Sequence, residues 1–195
     1  MLRRIVALSV VLLVGLAPAA LAANVKIRVE GKTTTIFGPT QPRVTADNAL
    51  QALDAASTAG EFYYGMTTSS FGDYVSQIGK YPASGTSGWA FKVNGVSPPV
   101  GADKVTLKDG DVVLWYYATF GAAGGPPTLE LQRLPANCYV VQSVTDAGKK
   151  ARAANATLTA DGKRFRTKNG RACIGKHVGL VRATAPGAVR SNAQP

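Results

Sequence analysis

The sequence predicts an α+β fold: a small mixed β-sheet domain with one helix, followed by a small β-sandwich domain. Three observations carry that reading. Residues 24–31, NVKIRVEG, alternate Val25, Ile27 and Val29 against Lys26, Arg28 and Glu30, which is strand periodicity. Residues 45–57, TADNALQALDAAS, hold the one helical pattern, with Ala49, Leu50, Leu53 and Ala56 on a single face. Beyond residue 62 the chain falls into short β-rich runs divided by glycine turns. A helix laid across a mixed sheet is an α+β domain.

The elements follow in chain order. Arg3 and Arg4 precede an apolar run from Ile5 to Leu16, and Pro18 leads into Ala20-Leu21-Ala22. That is the charged start, apolar core and small-x-small end of a secretory signal peptide, assigned to residues 1–22. The core is too short for a spanning helix, which needs roughly 20 apolar residues. No cysteine follows the cleavage point to carry a lipid, and no later stretch is apolar enough to cross a membrane. The mature chain is therefore expected to be secreted or otherwise extracytoplasmic, and associated with the cell envelope.

Strand 24–31 should pair with Thr33–Phe37 across a turn at Gly31-Lys32. Thr45 or Asp47 can cap the helix, and Gly60 can end it. Strands are expected at Phe62–Met66, Phe71–Ile78, Trp89–Val93 and Val112–Ala118, with Asn94-Gly95 and Asp109-Gly110 as turns. These make a first domain over residues 23–118. Residues 119–128, rich in glycine and proline, read as a linker. Residues 129–184 show short strands at Cys138–Val144, Ala156–Leu158, Arg164–Thr167, Ala172–Ile174 and Gly179–Ala183, which suggest the sandwich. Residues 185–195 read as a polar tail.

Charge is uneven. From Leu129 onward there are twelve Lys or Arg against Glu130, Asp146 and Asp161, whereas residues 23–128 carry eight of each sign. A surface of that kind attracts polyanions, such as an anionic cell-surface polymer, without specifying a nucleic acid. Cys138 and Cys173 are the only cysteines, and in an oxidising compartment a lone pair makes one disulfide. His177 is the only histidine, too few for a zinc site, and its flanking glycines place it in an exposed loop. No nucleophile with a base and an orienting acid is evident, so no enzyme and no cofactor is expected. Aromatic residues crowd the first domain. Of the adjacent pairs Tyr63/Tyr64 and Tyr116/Tyr117, one member each should face outward. Exposed Tyr or Trp can stack on a planar ligand or anchor a protein.

The blocks SFGDYVSQIGK (residues 70–80) and SGWAFKVNGVSPPVGADKVTLKDGDVVLWYY (residues 87–117) resemble the transcobalamin-like C-terminal domain family. That is a domain of unknown function in bacterial secreted proteins, similar to the β-domain of transcobalamin and intrinsic factor. The matching features are Phe71-Gly72-x-Tyr74-Val75, Trp89-x-Phe91-x-Val93-Asn94-Gly95, Val100-Gly101-Ala102, and Lys108-Asp109-Gly110-Asp111 ahead of Trp115. The resemblance implies a β-scaffold whose ligand-facing strand begins at Ser87 to Phe91. It makes Ser87, Trp89 and Phe91 candidate ligand-binding residues, and Tyr63 and Tyr64 join them from the outward-facing aromatic pattern alone. Residues 160–174 and 181–192 resemble, more weakly, transthyretin-like or carboxypeptidase-regulatory-like sandwich modules. The function expected is a non-enzymatic binding or envelope-associated module. Its first domain would offer a surface to an unknown protein or small ligand, and its basic domain would favour anionic surfaces. The alternative is a small-ligand, corrinoid-like carrier.

Overall fold

β1 (Ala23–Glu30) is the strand around which the first half is built. The computed structural model describes residues 22–69 and 72–195, so the leader read over residues 1–22 lies outside the described residues except for Ala22. β2 (Thr35–Phe37) pairs antiparallel with the end of β1, and β3 (Arg43–Ala46) pairs antiparallel with its start. α1 (Ala49–Gly60) follows. β4 (Tyr64–Ser69), β5 (Gly72–Ile78) and β6 (Tyr81–Pro82) form a small antiparallel sheet of their own. β7 (Ser87–Val93) returns antiparallel to β8 (Val112–Thr119), and β8 runs parallel to β1.

The alternation of β1 sets the layers. Val25, Ile27 and Val29 are fully buried against α1, whose Ala49, Ala52, Leu53 and Ala56 are also buried, together with Val75, Ile78 and Trp115. The helix starts later than Thr45 or Asp47 would allow, because residues 43–46 are held as a strand by β1. Asn48 is the cap: its side chain accepts from Gln51 N at 2.9 Å. The helix ends at Gly60 as expected, and Glu61 caps it with a left-handed φ of 51° while its N–H bonds Ser57 O.

The second half supplies two facing sheets. β9 (Thr128–Leu134), β10 (Cys138–Val144), β11 (Lys150–Arg152) and β14 (Arg171–Cys173) make one. β12 (Thr157–Ala160), β13 (Lys163–Arg166) and β15 (Arg182–Thr184) make the other. Leu129, Leu131, Tyr139, Val141, Leu158, Val181 and Ala183 are buried between them. The expected disulfide is present: Cys138 and Cys173 stand directly opposite each other in the β10–β14 ladder.

Residues 119–128 and 185–195 differ from the expected linker and tail. Phe120 N bonds Thr86 O, Gly121 and Gly124 close a tight turn, and Gly125 N donates to the Asp146 carboxylate. The C-terminal segment runs back through the structure. Val181 and Gln194 exchange backbone bonds, Leu129 N bonds Val189 O, and Ala193 N bonds Pro39 O in the first half. Ser191, Asn192 and Ala193 are buried. Their polarity serves the backbone: the Asn192 amide pairs with both N and O of Leu131, and Ser191 Oγ accepts from Ala183 N. Polar composition signals an exposed segment only where the polar groups have no inward partner to satisfy.

Candidate functional site

Along β7, side chains at alternate positions face opposite ways. Ser87, Trp89 and Phe91 share the face toward α1. Phe91 stacks on Trp115 at 5.1 Å between ring centres, and Trp115 Nε1 donates to Ala49 O, so both rings belong to the core. Trp89 lies edge-on to Tyr117 at 5.5 Å and donates from Nε1 to Tyr81 O. Ser87 Oγ is 2.7 Å from Thr119 Oγ1. Ser87 and Trp89, with Tyr74 and Phe120, line an open groove of about 440 Å³. Phe91 lines a neighbouring hollow with Ser97, Pro98 and Asp146. Tyr63 and Tyr64 line neither. Tyr63 is 65% exposed, whereas Tyr64 is half-buried and donates to Asp54. Burial, then the bond to Asp54, pushes the Tyr64 hydroxyl above its usual range. The five sequence-derived candidates therefore divide among a groove, a core stack and the edge of the helix layer.

The opposite face of the central sheet is buried and sets charged side chains beside Leu114, Tyr116 and Ala118. Glu30 has no exposed surface and meets three arginines: Arg28 at 3.0 Å, Arg182 at 2.5 Å and Arg190 at 3.0 Å. Arg28 comes from the same strand, and Arg182 and Arg190 come from the second half. The remaining guanidinium protons go largely to backbone carbonyls, including Gly31 O and Lys32 O from Arg190 and Arg190 O from Arg28. Burial lowers the Arg28 guanidinium to about 10, against the pull of Glu30. Lys92 repeats the pattern: its ammonium is wholly buried and donates to Val144 O and Thr145 O at 3.1 Å, with Asp146 at 3.2 Å. Burial lowers its pKa, and Asp146 opposes the shift.

The outer surface of the second half is cationic. Arg133, Lys149, Lys150, Arg152 and six further Lys or Arg from Lys163 to Lys176 are exposed. Among the described residues only Lys150 of these ten has a carboxylate partner, Glu130 at 2.6 Å. The register of β13 with β12 puts Arg166 beside Thr157 and Arg164 beside Thr159, and Thr157 faces Thr184 across β15. Arg164, Arg166, Thr157, Thr167 and Thr184 line an open hollow of about 600 Å³. Cationic forks beside hydroxyl donors suit sulfate, phosphate or carboxylate oxygens.

His177 is not the exposed loop residue expected from its glycine neighbours. It is half-buried, with Nε2 2.8 Å from the hydroxyl of the buried Tyr139 and Nδ1 2.9 Å from Gly179 O. The loop is folded over by Asp161, whose carboxylate accepts from Val178 N and Gly179 N. Those two bonds lower the Asp161 pKa. Among the described residues no three His, Cys, Asp or Glu side chains gather as metal ligands, and no helix is long and apolar enough to cross a membrane.

Residues 44–119 match the family described as "Domain of unknown function (DUF4430)". This stretch takes in α1, β7 and β8, together with the blocks that carry the sequence resemblance. No curated protein matches the chain. A solved protein from Ruminococcus gnavus ATCC 29149, described as a candidate metal binding protein, is similar over 51% of this chain and 99% of its own. The identity is 13% and the TM-score 0.37, too slight a likeness to carry an argument.

Arg28, Glu30, Lys92, Arg182 and Arg190 escaped the sequence reading. One signal was available: Lys92 interrupts the otherwise apolar and aromatic run of β7, where a charge with no partner is costly. Arg28 and Glu30 gave none, since alternating charges on a strand read as a solvated face.

Proposed function

We propose that this chain is an exported, non-catalytic binding module held to anionic polymers of the cell envelope by the exposed cations of its C-terminal half. The observation that carries the reading is the ten exposed cations, spread over both sheets and their loops, with one carboxylate partner among them in the described residues. Such a surface raises the local concentration of polyanions and binds them in a salt-dependent way. The leader sequence and the disulfide support an extracytoplasmic setting. The test is retention on immobilised teichoic acid. The protein should be held at low ionic strength and released by salt, with the double variant R164E/R166E eluting earlier. Passage straight through the column at low salt would sink the proposal.

A second reading rests on the groove lined by Tyr74, Ser87, Trp89 and Phe120. Its open aromatic wall suits a small planar ligand, the corrinoid-like class that the family resemblance implies. A cobalamin titration followed by tryptophan emission tests it, with Trp89→Ala as control. An unchanged spectrum at millimolar ligand removes this reading and leaves the first intact.

A further inference from the structure

The chain has six glutamines, and four of them line one cleft. Gln41 comes from the loop before β3, Gln132 from β9, Gln142 from β10 and Gln194 from the C-terminal segment. The cleft encloses about 450 Å³, within the range of small-ligand sites. The two glutamines elsewhere are engaged locally: Gln51 Oε1 accepts from Asp47 N, and Gln77 Nε2 donates to Gly79 O. None of the four in the cleft makes a side-chain hydrogen bond to any described residue. Four carboxamides from separate segments thus converge with donors and acceptors unassigned.

Gln41 adds an independent sign. Its φ is +59°, the left-handed region that glycine and asparagine adopt at less cost. A long carboxamide at such a position is a strained choice, and strain of this kind gathers at binding sites.

We infer that this cleft is a binding site for a neutral oligosaccharide. A carboxamide offers two donors and an acceptor, which matches the donor–acceptor character of sugar hydroxyls. The charges at the cleft, Glu130 and Lys150, neutralise each other at 2.6 Å, so the lining does not select for an ionic ligand. An extended peptide fits less well. It would need the free edge of β9, and that edge is occupied: Leu129 N bonds Val189 O, and Leu131 bonds Asn192 through both N and O. Of the ten exposed cations only Lys150 lines the cleft, and Glu130 pairs with it, so the ligand should be held without ionic forces.

The experiment is calorimetric titration of the full mature protein with chitotetraose, cellotetraose and maltotetraose at low and high salt. At least one should bind, with affinity unchanged by salt. The variant Q132E/Q142E keeps side-chain shape but removes two amide groups, four N–H donors in all. It should weaken binding roughly tenfold or more, from the worth of two hydrogen bonds. R164E/R166E should leave it unchanged. Gln132 is exposed and Gln142 half-buried, and folding of the half that carries them is checked by unchanged circular dichroism and an unchanged urea midpoint. Three outcomes overturn the assignment: no binding by any of the three at millimolar concentration, full affinity in Q132E/Q142E, or affinity that collapses with salt. The last two would place the sugar elsewhere on the surface.

Discussion

Replacing Glu30 by glutamine should destabilise both halves together. Arg28 is 2% exposed and cannot reach water, and Glu30 is its only anionic partner among the described residues. Arg182 and Arg190 keep about a fifth of their side-chain surface and can hydrate in part. Glutamine preserves the shape and one acceptor oxygen but leaves three guanidiniums without a counter-charge. Breaking a buried ion pair from one side costs about 3–5 kcal/mol. A domain's whole stability is about 5–15 kcal/mol. The assay is urea unfolding of the full chain, read by tryptophan emission and by circular dichroism. Both tryptophans, Trp89 and Trp115, lie in the first half, so emission reports that half alone. The two probes should move together to a lower midpoint. Glu130→Gln, which breaks the exposed pair with Lys150, should lose about 1 kcal/mol or less. The reasoning fails if Glu30→Gln costs no more than Glu130→Gln, or if emission shifts while the rest of the signal stays in place.

Lys92→Met should destabilise by about 1–3 kcal/mol, because Val144 O and Thr145 O lose their donor while the desolvation of the ammonium is relieved. Its pH dependence has a definite sign. The folded pKa lies below the ordinary value of 10.5, so approaching that value from below the unfolded chain binds more protons and stability rises with pH. The wild type minus Lys92→Met difference in unfolding free energy should show that slope; a flat difference refutes the burial argument. Removing the disulfide in C138A/C173A should lower stability by about 4 kcal/mol for a loop of this length, measured by urea midpoint. Asp161 is depressed by the N–H bonds of Val178 and Gly179, so its contribution is present above the unfolded pKa and is lost as pH falls through the folded one. The amide resonances of Val178 and Gly179 should titrate together below pH 3.8, and should be insensitive there in Asp161→Asn.

The apolar side of this fold was legible and the polar side was not. Val25, Ile27 and Val29 announced a buried face, and they are buried beneath the helix that Ala49, Leu53 and Ala56 announced. β10 matches its expected bounds because its apolar residues fill the sandwich. The failures share one cause. Periodicity reports polarity, and polarity stands for exposure only until another segment arrives with matching hydrogen bonds. β3 was hidden because its neighbour in sequence was a strong helix, though β1 holds it as a strand. β9 was hidden behind the proline pair that precedes it. The glutamine cleft was beyond reach, since its four side chains lie far apart along the chain and single glutamines in loops and strands carry no pattern.

The same distinction decides what the first half should do when isolated. The face that the second half covers carries Arg28, Glu30 and Lys92 beside Leu114, Tyr116 and Ala118. A fragment of residues 23–119 would expose that face to water. Its charges would be hydrated rather than stranded, and Arg28 would remain 3.0 Å from Glu30 as a surface pair of about 1 kcal/mol or less. The apolar core under α1 draws on no side chain beyond Trp115. The fragment should therefore stay folded and soluble, with the emission of its two tryptophans still shielded. It should also resist urea better than the first half of full-length Glu30→Gln, because deletion rehydrates Arg28 while the point change keeps it buried without an anion. A fragment that aggregates, or melts below that variant, would show that the three apolar side chains govern this interface and that the ion cluster is secondary.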